Sequence, residues 1–317
     1  MRQQSLATSG FERFRKKTQS ELFLEKMDQI IPWPELTAAI EPFYPRVDGA
    51  GRRPFGINRM LRIYFLQHWF QLFDPGAEDA LNDSPALRSF VGIDLGQEPV
   101  PDETTMLKFR HLMEEHNLGE QLFVLAGHFL HENGYKIARG TIVDATIISA
   151  PSSTKNKDKS RDPDMHSTQK ANQWCFGMKA HIGVDSKTKL IYSVVATSAN
   201  VHDSQVLDDL LHGDERRLYG DSGYTGQKEK IKSAAPLAKD FTNKKGFRNK
   251  SLSASEKRKN KIKSSVRAKV GHVFHIMKRQ FGFVKVRSRG IEKNANHLFA
   301  LCALVNLEMA SRRWKLA

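Results

Sequence analysis

Apolar positions in the first third of the chain recur at helical spacing. Phe11, Phe14, Leu22, Phe23, Met27 and Ile30 predict a helix over Phe11 to Ile31, with Pro32 and Pro34 as its stop. A second helix is predicted from Ile57 to Phe73, where Arg59, Arg62 and His68 break the apolar run and make it amphipathic or buried instead of membrane-spanning. Asp102, after Pro101, is placed to cap a helix through Met113. Another runs from Glu120 to Glu132 and closes at Asn133-Gly134.

The period then changes. Thr141 to Ile148 is β-branched and apolar on both faces, as a central strand would be, yet it carries one carboxylate, Asp144. Gly177 to Val184 and Leu190 to Thr197 read as strands joined by the polar turn Asp185 to Lys189, a hairpin pattern. Asp203 to Leu211 reads as a short helix, and Arg217 to Asp221 as a strand running into the loop Ser222 to Gly226. A small apolar segment at Asp240-Phe241 precedes one long helix from about Ser255 to Phe281. Strand, strand, strand, helix, strand is the order of a ribonuclease-H-like α/β domain. The expected class is therefore a mixed sheet flanked by helices, over residues 137–317, behind an all-helical domain over residues 1–136. Within it the segment 152–176 is predicted as a polar loop, because Ser152 to Asn172 has almost nothing apolar to offset its ordering entropy. Its place beside the Asp144 strand fits substrate contact and a solvated loop equally.

Charge narrows the partner. With 317 residues the chain is long enough for two domains, and its net charge of +15 and pI near 9.7 call for a polyanion, either nucleic acid or an acidic membrane surface. From Phe241 to Ala317 there are 20 Lys/Arg against three acids, a net +17, so the rest of the chain sums to about −2. These residues alternate with Phe274, Phe281 and Phe283, which predicts a folded basic surface over 255–317 and not a loose tail. Cys175 and Cys302 lack ligand spacing, and Met1 to Lys17 lacks an apolar core, so a reducing cytoplasm and no membrane partner are expected.

Burying a carboxylate in an apolar strand is costly unless it meets a cation, so Asp144 is either salt-bridged or functional. Asp221 ends a later strand before a glycine-containing loop, where ligands collect at the carboxyl edge of α/β sheets. Two such carboxylates in a basic protein suit divalent-cation phosphoryl transfer, since hard cations prefer oxygen donors and offset charge on phosphorus.

Longer segments carry a resemblance. Val143 to Lys155, Asn172 to Trp174, Gly177 to Asp185, Tyr219 to Gly226 and Lys278 to Lys285, with Trp33-Pro34, Ile40 to Tyr44, Gly51 to Pro54 and Pro101 to Thr105 upstream, resemble transposases of the bacterial insertion sequence five family. The resemblance implies a helical region that binds terminal inverted repeats, and a ribonuclease-H-like core whose Asp, Asp, Glu triad holds two Mg²⁺, with Mn²⁺ able to substitute. It makes Asp144 and Asp221 the first two catalytic metal ligands. Water would attack at the element's end and the freed 3′-hydroxyl would attack target DNA. Double-stranded DNA, a homodimeric synaptic complex and a nucleoid location follow from the same resemblance. The third acid lies in a pattern of Arg, three residues, Glu, six residues, Lys; Arg267 and Lys278 fall in register, and the acid position is Gly271.

At roughly 100° per residue from Arg267, position 271 lies near about 40° and Lys278 near about 20°, while Val266, Val270, Val273 and Met277 cluster at roughly −60° to −120°. The glycine thus replaces a site-facing residue. Either the chain is a silent copy that still binds DNA, or a neighbour such as His275 substitutes, its imidazole suiting Mn²⁺ better than Mg²⁺. His272 and His275 otherwise read as surface histidines. Arg267, Lys278, Arg279, Lys285, Arg287 and Arg289 are the expected DNA contacts, although a solvated helix face accounts for Lys278 and Arg279 as well. Trp174 reads as a packing anchor more than a base-stacking group.

Overall fold

In the computed structural model residues 16–45, 53–135, 140–157, 159–170, 172–246 and 251–313 are described. The first helix, α1 (Gln19–Ile30), opens on Thr18, whose hydroxyl accepts the Glu21 N–H at 3.1 Å. Phe11 and Phe14, expected in this helix, lie outside the described residues. Pro34 does not act as a stop. It sits in the first turn of α2 (Trp33–Ile40), where the missing N–H is no loss. Next, α3 (Ile57–Phe70) ends when Gln71 turns left-handed, short of the expected Phe73. Two helices too short to show a period follow, α4 (Asp74–Asp83) and α5 (Pro85–Val91). Asp102 caps α6 (Glu103–Glu115) by accepting the Thr105 N–H at 2.7 Å, and α7 (Leu118–Glu132) closes at Asn133-Gly134.

The sheet is built around β1 (Gly140–Ser149). On one side it pairs antiparallel with β3 (Gln173–Asp185), which pairs antiparallel with β4 (Ile191–Ser198). On the other it pairs parallel with β5 (Arg217–Tyr219), and β5 parallel with β6 (Lys239–Asp240). Strand order β4-β3-β1-β5-β6 makes this a ribonuclease-H-like mixed sheet flanked by helices.

Three expectations need correction here. The polar segment 152–176 is not all loop: β2 (His166–Lys170) pairs with the start of β3. Both faces of β2 are largely exposed, so backbone pairing holds it without any apolar alternation to signal it. Asp203 to Leu211 forms two 3₁₀ turns, Asp203–Val206 and Asp208–Leu210, not one helix. After the small helix α8 (Lys228–Ala234), the predicted long helix is divided. Its first piece, α9 (Ala254–Arg267), starts at a Ser253–Glu256 capping box and buries no residue. The second, α10 (Val270–His275), buries Val270 and Val273 and widens into a π turn, Ile276–Gln280, with Ile276 and Met277 buried. Between them the backbone tightens, as Gly271 N–H bonds Ala268 O and His272 N–H bonds Lys269 O. A solvated stretch and a packed stretch thus meet at a local change of winding.

The last helix, α11 (Ile291–Ser311), is buried on all sides over most of its length. The expected basic surface over 255–317 therefore ends near Arg289, and α11 is core instead. It packs against α1, α6, α7 and β4, and one apolar cluster runs from Leu24 through Ile142 and Met178 to Leu307. A smaller cluster around Val143, Leu207, Leu218 and Tyr224 covers the other side of the sheet. Gly119 lets α7 approach: a Cβ there would lie 2.1 Å from the Asn296 carbonyl oxygen, and its N–H donates to Asn296 Oδ1 at 2.7 Å. Asn306 ties β4 to the helix, its Oδ1 accepting the Ile191 N–H at 2.8 Å and its Nδ2 donating to the Ile191 carbonyl at 2.7 Å. His297 of α11 stacks on His68 of α3 at 4.0 Å, and both are buried deeply enough to be held neutral.

Asn306→Leu, which leaves two buried backbone groups unpaired, is expected to lower unfolding free energy by about 2–5 kcal/mol in urea titration. A loss under about 1 kcal/mol would show that water satisfies them. Burial pushes His68 and His181 down to about 4 and lowers His297 well below the ordinary histidine value. Below the ordinary histidine value the unfolded chain takes up protons that the fold refuses, so stability falls as pH drops from about 6.5 towards 4, by about 1.4 kcal/mol per pH unit for each histidine. Urea midpoints at pH 7 and 5 test this, and His297→Phe should make the slope shallower.

Candidate active site

Parallel pairing of β1 with β5 sets the site. The ladder matches Ile142 with Tyr219, so two residues further on Asp144 stands beside Asp221 at the carboxyl edge of the sheet. Asp221 accepts the Gly223 N–H at 2.7 Å on Oδ1, which fixes the turn after β5. Asp144 accepts the Ala145 N–H at 2.9 Å on Oδ1, and its Oδ2 meets Arg267 Nη1 at 3.1 Å. Burial raises the Asp144 carboxyl above its ordinary range, and the Asp221 charge adds to that; Arg267, the Ala145 N–H and Lys170 act against it. A carboxylate whose ionisation the neighbouring Asp221 charge disfavours, bonded among the described residues to one cationic side chain, suits a divalent cation. Among the described residues, no three Asp, Glu, His or Cys side chains surround a common point.

The cleft over these acids has further walls. Thr168, Gln169 and Lys170 come from β2, Lys179 from β3, Asp203 from the turn after β4, and Arg267 and Phe274 from α9 and α10. Lys179 Nζ donates to Val201 O at 2.7 Å and to Asp203 Oδ1 at 2.9 Å. His181 Nδ1 lies 3.9 Å from that same oxygen. Neither Asp203 nor Lys179 is a candidate from sequence. The signal available was a cation inside an otherwise apolar strand and an acid just past a strand end, the same features that single out Asp144 and Asp221.

The remaining candidates are dispersed. Gly271 is exposed, and a Cβ built on it meets nothing within 4 Å. Its neighbours Arg267 and Phe274 line the cleft on either side of it in sequence. His275 is exposed and is not among the cleft residues; His272 is half-buried. Arg279 and Lys285 are exposed. Lys278 is instead used by the fold: its ammonium donates to the Ile147 carbonyl at 2.5 Å, and burial lowers its pKa. Arg287 is also engaged, donating to Gln71 Oε1 at 2.8 Å and lying over the Phe73 ring at 4.2 Å. Arg289 reaches Ser160 Oγ at 3.4 Å and Arg267 is paired with Asp144, so the six cations do not form one uniform strip. Trp174 is no packing anchor. It stands 72 % exposed at the start of β3, because its partner strand β2 has solvent on both faces.

Open space at Gly271 gives a direct test. Gly271→Ala should raise unfolding free energy by about 0.5–1 kcal/mol through helix propensity alone, measured by denaturant titration. A loss of stability would mean that the position is crowded.

The family model described as "Transposase DDE domain" matches residues 136–307, and the one described as "Transposase domain (DUF772)" matches residues 12–112. Among solved structures the chain is similar to the piggyBac transposase in a cryo-EM synaptic complex with hairpin DNA, at 12 % identity and a TM-score of 0.48, over 96 % of this chain and 76 % of that one. No helix among the described residues is long and apolar enough to cross a membrane. With more than half of its length matched by the catalytic-domain model, the chain belongs to the DDE transposase family.

Proposed function

We propose that this transposase is of the insertion sequence five type, that its helical region (1–136) binds the terminal inverted repeats, and that its second region (137–317) cuts and joins DNA. The observation that carries this is the β1–β5 register, which brings Asp144 and Asp221 together in a cleft rimmed by Lys170, Lys179 and Arg267. Asp144 and Asp221 would hold the divalent cation, Mg²⁺ with Mn²⁺ as substitute, which when bound activates the attacking hydroxyl and offsets charge at phosphorus. Arg267 holds the Asp144 carboxylate in place and balances it before DNA arrives. The lysines at the rim offer contacts to a phosphodiester backbone, with Arg279 and Lys285 on the exposed surface. A homodimer bridging two element ends accords with the family.

A second reading has its own support. Gly271 offers no ligand where the third acid is expected, which favours a protein that binds repeat DNA without cutting it. One comparison separates the two: end cleavage and strand transfer on a repeat-bearing duplex, with Mg²⁺ and with Mn²⁺, by the parent chain, Asp144→Ala, Asp221→Ala and Gly271→Glu. Active catalysis requires that both alanine variants lose more than about a hundredfold in cleavage while still retarding the duplex in a gel. Cleavage that survives Asp144→Ala overturns the site assignment. If Gly271→Glu cuts while the parent only retains the duplex, the silent binder is the correct reading; if neither cuts while both retain the duplex, DNA binding stands and the catalytic reading is unsupported.

A further inference from the structure

We propose that Asp203 is the third carboxylate of the divalent-cation site in this chain, held back by Lys179 until DNA enters the cleft. The inference rests on the reading that Asp144 and Asp221 bind a cation. It starts from what Gly271 leaves undone: the helix side of the cleft contributes Arg267 and Phe274 but no acid. Asp203 is the remaining acid lining that cleft, and it stands on the turn that follows β4.

Two buried polar groups lie beside these acids, behind the residues that line the cleft. Tyr224 is fully buried, and its hydroxyl has no hydrogen-bond partner among the described residues. Besides burial, the charges of Asp203, Asp144 and Asp221, in that order, hold its phenol protonated, so this hydroxyl lies within the field of all three carboxylates. His181 is likewise buried, with Nε2 bonded to Thr197 Oγ1 at 2.9 Å and Nδ1 without a partner, 3.9 Å from Asp203 Oδ1. Polar groups buried without partners cost stability and persist where a function uses the space they face.

Lys179 explains why three acids do not already form a ligand set. Its ammonium and His181 approach one oxygen of Asp203, and the charge balance that a divalent ion would provide is supplied by the side chain. A phosphodiester entering the cleft offers Lys179 a second anion within reach of its flexible stem. Release of that ion pair frees the Asp203 carboxylate to turn toward Asp144 and Asp221. In this arrangement the Lys179–Asp203 pair couples cation binding to the presence of DNA.

Mn²⁺ binding to the full chain, followed by the electron paramagnetic resonance signal of free Mn²⁺, tests the assignment without reference to activity. Asp203→Asn is expected to weaken Mn²⁺ binding by about tenfold or more, while Asp208→Asn, an acid of the adjacent turn outside the cleft, changes it less than about twofold. Lys179→Met should act in the opposite direction and tighten binding severalfold. If Asp144→Asn and Asp221→Asn abolish binding but Asp203→Asn stays within about twofold of the parent, Asp203 is only the counter-ion of Lys179 and the proposal is overturned, with the two-acid reading intact. Should Asp144→Asn and Asp221→Asn leave binding unchanged, the two-acid reading fails and this proposal with it. If Asp203→Asn does not fold, as judged by circular dichroism, Lys179→Met decides, and binding no tighter than the parent's overturns the proposal.

Discussion

A half-buried carboxylate is the constraint around which this molecule is arranged. Asp144 interrupts an apolar strand at the centre of the sheet, and the parallel register of β1 and β5 brings a second carboxylate beside it. Taking one charge out of water is expensive, and placing a like charge next to it is more so. Arg267, the Ala145 N–H and the more distant Lys170 are the local response. Arg267 reaches the acid because α9 crosses the carboxyl edge of the sheet, and the chain then changes its winding so that α10 can pack Val270 and Val273 below.

That arrangement depends on a rigid support, and α11 provides it. A helix buried over most of its length has little solvated face, so most of its polar side chains turn to protein partners. Asn306 meets both backbone groups of Ile191, Asn296 meets the start of α7, and Asn294 accepts the Arg287 N–H. These bonds fix β4, the N-terminal helices and the basic segment to one axis. Because the apolar cluster passes through α11 from the helical region to the sheet, the two regions share a core even though their sequence patterns differ.

The basic residues divide into two uses that charge alone does not separate. Lys278 and Arg287 are tied to a carbonyl and an amide inside the structure, and Arg267 to a carboxylate. Arg279 and Lys285 remain on the surface. A net +17 in one segment therefore serves both to anchor the fold and to present positive charge, and the same is true of Lys179 on β3.

The sequence by itself determined the order of β1, β3, β4 and β5, the strand that carries Asp144, the place of Asp221 at the end of a later strand segment, and the caps at Asp102 and Asn133-Gly134. Each depends on local spacing or on the chemistry of one residue, which a linear pattern records. It did not reveal β2, the break after Arg267, the exposure of Trp174, or the role of α11. A doubly exposed strand has no apolar alternation, and a helix bends or stays in solvent according to what packs against it. Only the tertiary structure brought Asp203 and Lys179 to the same cleft, since an acid after β4 and a lysine in β3 meet the Asp144–Asp221 pair through sheet register and not through sequence distance. It also decided which cations are consumed by the fold, because burial and partner geometry, not charge, set that choice.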